Sequence, residues 1–570
     1  MSLEFKPYPF SRRTYSSPLP PLDMGVEGRR RPVVVIGAGP VGLTTALALA
    51  QYGVPVALIE ADDSVCVGSR AICISRRSLE ILERVGAANE FQRIGLPWTG
   101  GRSFYRDQEV LHFKMPQDEN QKLPPMINLA QYQMEQILLD RAHQIPELID
   151  IRWQTKVTAV QQNPEMVRLT LSTPSGDYQL EADWVVAADG GRSFVRDALG
   201  LTLQGTSYEG RYVIVDILLE SQRPTERLAY FDPPSNPGST VLVHKQPGNV
   251  WRIDYQLRDG ENPEDAVKPE NVAPRVDNLL AMLGERAPWS PIWIGIYKAN
   301  ALTLERYRHG RVLFAGDAAH LLPIFGVRGA NSGIDDADNL AWKLALVIRG
   351  LASERLLDSY SDERVAAAHE NLRHGTKSTE FMAPPSFAFD LMRRAVLGLA
   401  IKHDRVRSLI NPRQTSAITY GASPLNTGID DSAAFDAGPV PGAVLAECPL
   451  TIACDAPGTE PRRAYLTDLI ASVFTVLHFC ERSHVCADML ELERAMRARK
   501  IPFRIVLLAR HLGVAGVPMH GWDHTGRLFP MYGANPGTIY LVRPDGHVLA
   551  RWLKVSTADI AAALERVLHP

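Results

Sequence analysis

Three glycines and one acid carry the clearest chemistry in this chain. Gly37, Gly39 and Gly42 follow the β-branched run Val33-Val34-Val35-Ile36 in the spacing Gly-x-Gly-x-x-Gly and open an Ala/Leu-rich segment; Glu60 ends a second apolar run, Val56 to Ile59. Glycine at 37 permits a tight turn, glycine at 39 lets backbone amides approach a pyrophosphate at a helix N-terminus, and glycine at 42 lets helix and strand pack closely. Glu60 is placed to accept hydrogen bonds from a ribose 2′-hydroxyl, and its charge disfavours a 2′-phosphate there. Strand, spacing, helix and terminal acid agree, so the chain is expected to bind a dinucleotide.

Two further strand ends present acids. Trp184 to Ala187 reads as a buried strand followed by Asp189-Gly190-Gly191, with Arg192-Ser193 opening a helix. That arrangement brings a carboxylate and bare backbone against a ligand, or makes an ordinary turn. Val312 to Ala315 ends in Gly316-Asp317, and a loop through His320, Pro323, Gly326 and Gly329 leads into a helix from about Asn331 to Ile348. Asp317 could hold a sugar-like hydroxyl, and the glycine-rich approach points the positive helix end at whatever lies in front of it. Arg70, close in sequence to the second strand, is either a surface residue or a phosphate or ribose contact.

The elements that position these residues read as an α/β chain. Leu79, Ile81, Leu82 and Val85 recur at helical spacing before a Gly86 cap, and Gln131 to Leu139 predicts an amphipathic helix. Ile151 to Val160 and Val167 to Leu171 predict antiparallel strands around Gln162-Asn163-Pro164. Between about 201 and 302 the texture turns to strands, including Tyr212 to Leu218, Thr240 to Val243 and Val250 to Leu257, and it looks like the other half of a pocket together with part of the 98–125 segment. Residues 1–30 are polar and proline-rich, an extended arm laid on the surface or a disordered one.

At 570 residues the chain exceeds one ordinary domain and predicts roughly three to four. A net charge of −3 gives no excess of positive charge to attract nucleic acid. Six cysteines without a CxxC pair suit a reducing cytoplasm. No secretory signal and no apolar run long enough to span a bilayer is visible, so neither membrane insertion nor export is expected.

The set GAGPVG, ADGGRSFVR and AGDAAHLLPIFGVRGANSGIDDADNLAWKLA, in that order, resembles the single-component flavin-dependent aromatic hydroxylases, in the branch of phenol and 3-(3-hydroxyphenyl)propionate hydroxylases. The likeness covers roughly residues 31–400. It implies a Rossmann-like FAD-binding domain (31–200 and 303–400) interleaved with a β-rich substrate domain (201–302). It also implies bound FAD, with the pyrophosphate on Gly37, Gly39 and Gly42 and the adenosine ribose on Glu60. Arg70 and Gln131 look like the family's flavin-contacting Arg and Gln, and Asp189 and Gly190 match a motif serving both FAD and the nicotinamide coenzyme. Asp317 matches the aspartate near the ribityl chain; beyond Pro323, the amides of Gly329, Ala330 and Asn331 look like those facing the pyrimidine edge of the flavin. Many members read Gly-Gln-Gly where this chain reads Val327-Arg328-Gly329, so Arg328 is expected to alter the loop or its charge.

Only one dinucleotide motif is present, so NADH or NADPH is expected to visit transiently. The implied reaction hydroxylates a phenol with O2 through a C4a-hydroperoxyflavin. The opposing readings are a non-catalytic FAD-dependent ligand-binding protein and a flavin oxygenase of another outcome, such as Baeyer–Villiger insertion; a halogenase is disfavoured because Trp289 and Trp293 stand in WSPIWIG rather than WxWxIP. Ile72 occupies the place where phenol hydroxylases carry an aspartate. The base is therefore sought on the Thr240–Leu257 hairpin, where Arg252 could anchor a substrate carboxylate and His244 or Asp254 could take the phenolic proton, unless all three form an ordinary solvated face. Residues 401–440 read as a helix and linker, and 441–570 resemble the thioredoxin-like C-terminal domain of the same branch. Its redox pair is missing, since Cys480 and Cys486 lie six positions apart, and His478, Cys480, His484 and Cys486 do not make a standard zinc pattern, so no metal is expected. A homodimer is expected.

Overall fold

A computed structural model describes residues 4–258, 260–410, 414–427, 433–453, 461–482, 487–511 and 520–570. Strand β1 (Arg31–Ile36), helix α1 (Pro40–Ala50) and strand β2 (Val56–Ile59) form the expected βαβ unit. The apolar run of β1 and all of β2 are buried, as continuous hydrophobic strands are when a parallel sheet is covered on both faces. The sheet runs Val312–Phe314, β4 (Gly176–Ala187), β1, β2, β3 (Ile149–Arg152), all parallel at these contacts. The stretch expected as one strand from Ile151 to Val160 is two. The chain breaks at Gln154, whose φ is 52°, so β3 extends the parallel sheet while Lys156–Gln162 turns back against Val167–Thr173.

The second sheet has eight strands. Its central members are β5 (Gln204–Leu219), β6 (Arg227–Phe231), β7 (Thr240–Lys245), β8 (Val250–Gln256) and β9 (Trp289–Thr303), in the order β9-β5-β8-β7-β6, and the hairpin Gly100–Tyr105/Gln108–Lys114 continues it beyond β6. Strand periodicity of two divides its residues between two cores. Leu228, Tyr230, Val243 and Ile253 pack on the helix Pro269–Met282. Tyr212, Ala229, Phe231 and Leu242 point the other way, against Ile72, Cys73, Phe325 and Met382. That second face looks at the dinucleotide-binding half.

The N-terminal arm is extended but pinned. Tyr8 and Phe10 pack on Tyr132, Tyr15 stacks on Trp153 at 4.9 Å, and Val26 pairs beside Gln179 of β4. The apolar run after residue 386 forms a helix only as far as Ala400, and a separate turn of helix spans Asp404–Arg407. Beyond it lies a seven-stranded sheet ordered Arg462–Tyr465, Pro449–Ala453, His520–Trp522, Phe503–His511, Phe474–Arg482, Ile539–Val542, Val548–Trp552. Its first two strands are absent from the sequence reading, whose first strand begins near Ser472. Cys480 is buried; His484 and Cys486 lie outside the described residues. Among the described residues no His, Cys, Asp and Glu cluster is arranged to hold a metal ion, and no helix is long and apolar enough to cross a membrane.

A buried charge cluster joins the C-terminal sheet to the helices α4 (Gly329–Ile348) and α5 (Leu356–Met382). Glu363 accepts from Lys343 at 2.7 Å and from Arg543 at 2.6 and 2.9 Å, and Arg543 also pairs with Asp545. Glu363, Lys343 and Arg543 are all inaccessible to solvent. Burial pushes the Glu363 carboxyl up, but Arg543 and Lys343 outweigh it and hold it below the usual carboxylate range. Removing one member of such a cluster strands the opposite charges in the interior, at a cost of about 3–5 kcal/mol. Glu363→Gln is accordingly expected to lower the urea midpoint with an apparent loss of that size; a midpoint within experimental error of wild type would contradict the accounting.

Candidate cofactor site and the sheet face opposite it

The three glycines of the first turn are required for different reasons. Gly37 has a φ of +101°, and a Cβ there would meet the Ala188 carbonyl oxygen at 2.4 Å. At Gly42 a Cβ would meet the Gly37 carbonyl oxygen at 1.8 Å, so helix and turn touch through bare backbone. At Gly39 the nearest protein atom would be Glu135 Oε1, 4.0 Å away; the chain leaves that space open. No side chain caps α1, and Pro40 stands at its first position, so the first free amides face outward with the positive end of the helix. Glu60 Oε2 accepts from the Ala38 amide at 2.7 Å and Oε1 from the Asp62 amide at 3.0 Å. Its carboxylate thus stands directly beside the phosphate turn. A turn of open amides next to an acid suits a pyrophosphate joined to a ribose.

The Gly316-Asp317 turn is held from behind. Gly316 donates its amide to Asp336 Oδ2 at 2.9 Å, His320 Nε2 lies 2.7 Å from the same oxygen, and Arg364 donates Nε to Asp336 Oδ1 at 2.5 Å. Burial pushes the Asp336 carboxyl up, yet Arg364 and His320 prevail and hold it at about 2. A Cβ on Gly316 would meet Val41 at 2.9 Å, so this turn lies against the start of α1. The Asp317 side chain is open to the cleft while protein crowds around it. That enclosure raises its pKa, and His320 and Arg70 oppose the rise. Arg70 and Asp317, distant in sequence, therefore share one electrostatic site.

Other candidates are tied into the frame. Gln131 Oε1 accepts from the Ala71 amide at 3.1 Å and its Nε2 donates to Glu135, which accepts from the Cys66 amide; Gln131 thereby fixes the loop that carries Arg70. Asp189 accepts from Ser193 Oγ at 2.6 Å and from the Val195 amide at 3.1 Å, so its side chain braces the start of the short helix Phe194–Ala198, which Ser193 caps. The following Gly190 is left-handed, at φ +79°, with open space at its α-carbon. Pro323 lies close to Gly375 of α5, where a Cβ would approach it to 3.1 Å. Gly329 and Ala330 begin α4. The Asn331 side chain makes four bonds: it accepts from the Ser75 amide and Ser78 Oγ and donates to the Cys73 and Val327 carbonyls. Val327 adopts φ +53°, a left-handed conformation that a β-branched residue rarely takes. Arg328 turns inward, only 3% exposed, and donates to Asn371 Oδ1 at 2.9 Å; burial draws its pKa down to about 10.

The sheet face opposite the cofactor turn carries a row of buried polar residues. Cross-strand register sets Asp216 of β5 beside Arg252 of β8, and Arg252 beside His244 of β7. The pairing of Leu228 with Val243 then puts Arg227 of β6 next to His244. Arg252 donates Nε to both oxygens of Asp254, at 2.8 and 3.1 Å, and Nη1 to the Arg70 carbonyl at 2.5 Å. With those groups spent, Arg252 is a structural clamp between the two halves and is not free as a bidentate substrate anchor. Burial and the two flanking arginines hold the His244 pKa well below its usual value, so its ring is neutral. Burial raises Asp254, against Arg252. Asp216 accepts from Ser69 Oγ and Tyr8 Oη, and burial brings its pKa to about 6. The sequence reading found His244, Arg252 and Asp254 but passed over Asp216 and Arg227. Both could have been found as charges in the period-two series of apolar strands, Asp216 on the same face as Ile214 and Arg227 on the same face as Ala229 and Phe231.

The glycine geometry separates two substitutions. Gly39→Val should leave a folded chain that takes up FAD at least tenfold more weakly, whereas Gly42→Val collides with Gly37 and should compromise folding itself. Flavin titration alongside far-UV circular dichroism distinguishes them; unchanged uptake by Gly39→Val would refute the assigned approach path.

The family described as FAD binding domain matches residues 30–374. Over 360 residues the chain is 32% identical to 3-(3-hydroxy-phenyl)propionate/3-hydroxycinnamic acid hydroxylase of Klebsiella pneumoniae (strain 342), covering 62% of each protein; it therefore spans about three-fifths of that relative's length. Among solved structures it resembles the flavin-dependent monooxygenase PieE in complex with FAD and substrate, with a TM-score of 0.79, 21% identity and coverage of 95% and 99% of the two chains. It also resembles aklavinone-11 hydroxylase with FAD and aklavinone, with a TM-score of 0.75, 24% identity and coverage of 95% and 100%. With the match extending over more than half of its length, from the first strand through the Gly316-Asp317 turn and into α5, the chain belongs to the FAD binding domain family.

Proposed function

We propose that this protein is an FAD-dependent monooxygenase that hydroxylates a phenolic aromatic compound, ortho or para to an existing hydroxyl, using NADH or NADPH and O2. The observation that carries the reading is the opposition of an FAD cradle to a buried polar sheet face, clamped together where Arg252 meets the Arg70 loop. The hydroxylase names of the curated relatives support it. FAD, when bound, supplies the redox and oxygen chemistry. The chain's residues do the rest: the amides after Gly37 receive the pyrophosphate, Glu60 the ribose, and Asp317 with Arg70 the middle of the cofactor. The amides of Gly329 to Asn331, at the positive end of α4, face negative charge on the ring. Residues 31–200 and 303–400 act as the FAD unit, 201–302 as the substrate wall, and 441–570 as a thioredoxin-like unit of packing or subunit contact without thiol exchange, in a cytoplasmic homodimer.

Attack on the ring is fastest on a phenolate, so a group must take the phenolic proton with a pKa near working pH. Between the two candidates, Asp254 fits better, because burial moves it upward toward neutrality while the same burial makes His244 a poor base. A raised carboxyl is protonated at low pH and becomes a proton acceptor as pH rises through its folded value. Activity limited by this step should therefore climb with pH.

Purified protein reconstituted with FAD should oxidise NAD(P)H faster when a phenol or phenolic acid is added, with a hydroxylated product identified by mass spectrometry. Acceleration by no member of such a panel would favour the carrier reading instead. In Asp254→Asn the rising limb of kcat/KM against pH should vanish and the yield of product per NAD(P)H should fall at least tenfold, with His244→Gln affected less; an unaltered pH profile would remove Asp254 from this role.

A further inference from the structure

Arg227 differs from every other buried arginine among the described residues. It is 3% exposed, and neither Nε nor Nη1 has a hydrogen-bond partner. The nearest carboxylate along the row, Asp254, is already held by Arg252 through both oxygens. Two more polar atoms on the same sheet face lack partners, His244 Nδ1 and Tyr212 Oη, both fully interior. A guanidinium taken out of water without a counter-charge is costly, and chains retain one where an anion supplies the missing partner.

We propose that Arg227 receives the carboxylate of an aromatic acid, at the end of the substrate remote from the flavin. The proposal rests on reading this sheet face as the substrate wall. Its position selects the tail of the substrate over its reacting ring. Arg252 marks the point where the sheet touches the Arg70 loop, and Arg227 stands two strands further along the row, roughly 10 Å at ordinary strand spacing. A benzene ring carrying a two- or three-carbon acid chain spans a comparable length. The planar guanidinium matches a carboxylate through two parallel N–H donors, while the neutral His244 ring beside it adds hydrogen-bonding capacity without competing charge. Gly101, paired with Arg227 on the outer side, lets the two strands meet through bare backbone, since a Cβ there would meet the Arg227 carbonyl oxygen at 2.4 Å.

The test uses the FAD-loaded protein and two probes with no phenol to hydroxylate, 3-phenylpropionate and its amide, 3-phenylpropionamide, titrated through the flavin absorbance spectrum and by calorimetry. In the wild type the acid should bind roughly tenfold to a hundredfold more tightly than the amide, the range of a charge-assisted pair in a desolvated site. Arg227→Met should abolish that preference while leaving the amide within a few-fold of wild type, and Arg227→Lys should keep part of it. An acid that binds no tighter than its amide overturns the assignment, as does a preference that survives in Arg227→Met. If Arg227→Met fails to retain FAD, the Lys variant decides: a preference equal to wild type counts against the geometry, a reduced one for it. The two readings fail separately. A preserved acid preference with no phenol-stimulated NAD(P)H oxidation leaves the anion site standing and removes the monooxygenase, and the reverse result does the opposite.

Discussion

The arrangement depends most on one buried carboxylate. Asp336 reaches from α4 to the Gly316 amide, to His320 and to Arg364 of α5, so a single side chain joins the second cofactor turn to the two long helices behind it. Arg364 continues outward to the Tyr420 hydroxyl at 2.9 Å, and the Tyr420 ring stacks on His547 at 4.5 Å. The turn that presents Asp317 is therefore coupled through contiguous contacts to the hairpin of the C-terminal sheet. Such a chain of buried charges is worth little as net stability, because desolvation offsets most of the Coulomb gain. Its value lies in selecting one geometry, since every alternative leaves a charge without a partner.

The two sides of the cleft handle charge differently. Behind the cofactor turns, each acid is matched by a cation, and Asp336 and Glu363 are held ionised. On the sheet face, burial outweighs the partners, so Asp216 and Asp254 move upward and His244 downward. Carboxyls whose pKa values burial raises beside a specific charge are of the kind suited to moving protons, whereas the same burial holds His244 neutral. The contrast places rigid ionic architecture under the cofactor and titratable groups opposite it.

The loop before α4 is held against its own local preferences. Val327 occupies a left-handed conformation that glycine would adopt without strain, and Arg328 puts a cation at the positive end of a long helix. Both are unfavourable locally. The Asn331 side chain, with four bonds spanning the Cys73–Ser78 segment and the Val327 carbonyl, and the Arg328 bond to Asn371 hold the loop in place.

Short-range information in the sequence determined the βαβ unit, the helix caps and the two strand-end acids, because glycine spacing and apolar periodicity act within a few turns of chain. Gly39 and Glu60 were legible for that reason, and so were the limits of β2 and α4 to within two residues. Tertiary structure alone decided which charges are free. Arg252 looked available in sequence and is spent on Asp254 and the Arg70 carbonyl; Arg227 was passed over and is, among the described residues, a buried cation whose Nε and Nη1 lack a hydrogen-bond partner. Tyr8 and Ser69 meet at Asp216 from segments far apart in the chain. A residue's type sets what it can bond, but its partners are set by strand register and by the docking of one sheet on another, and neither is written in the local spacing of residues.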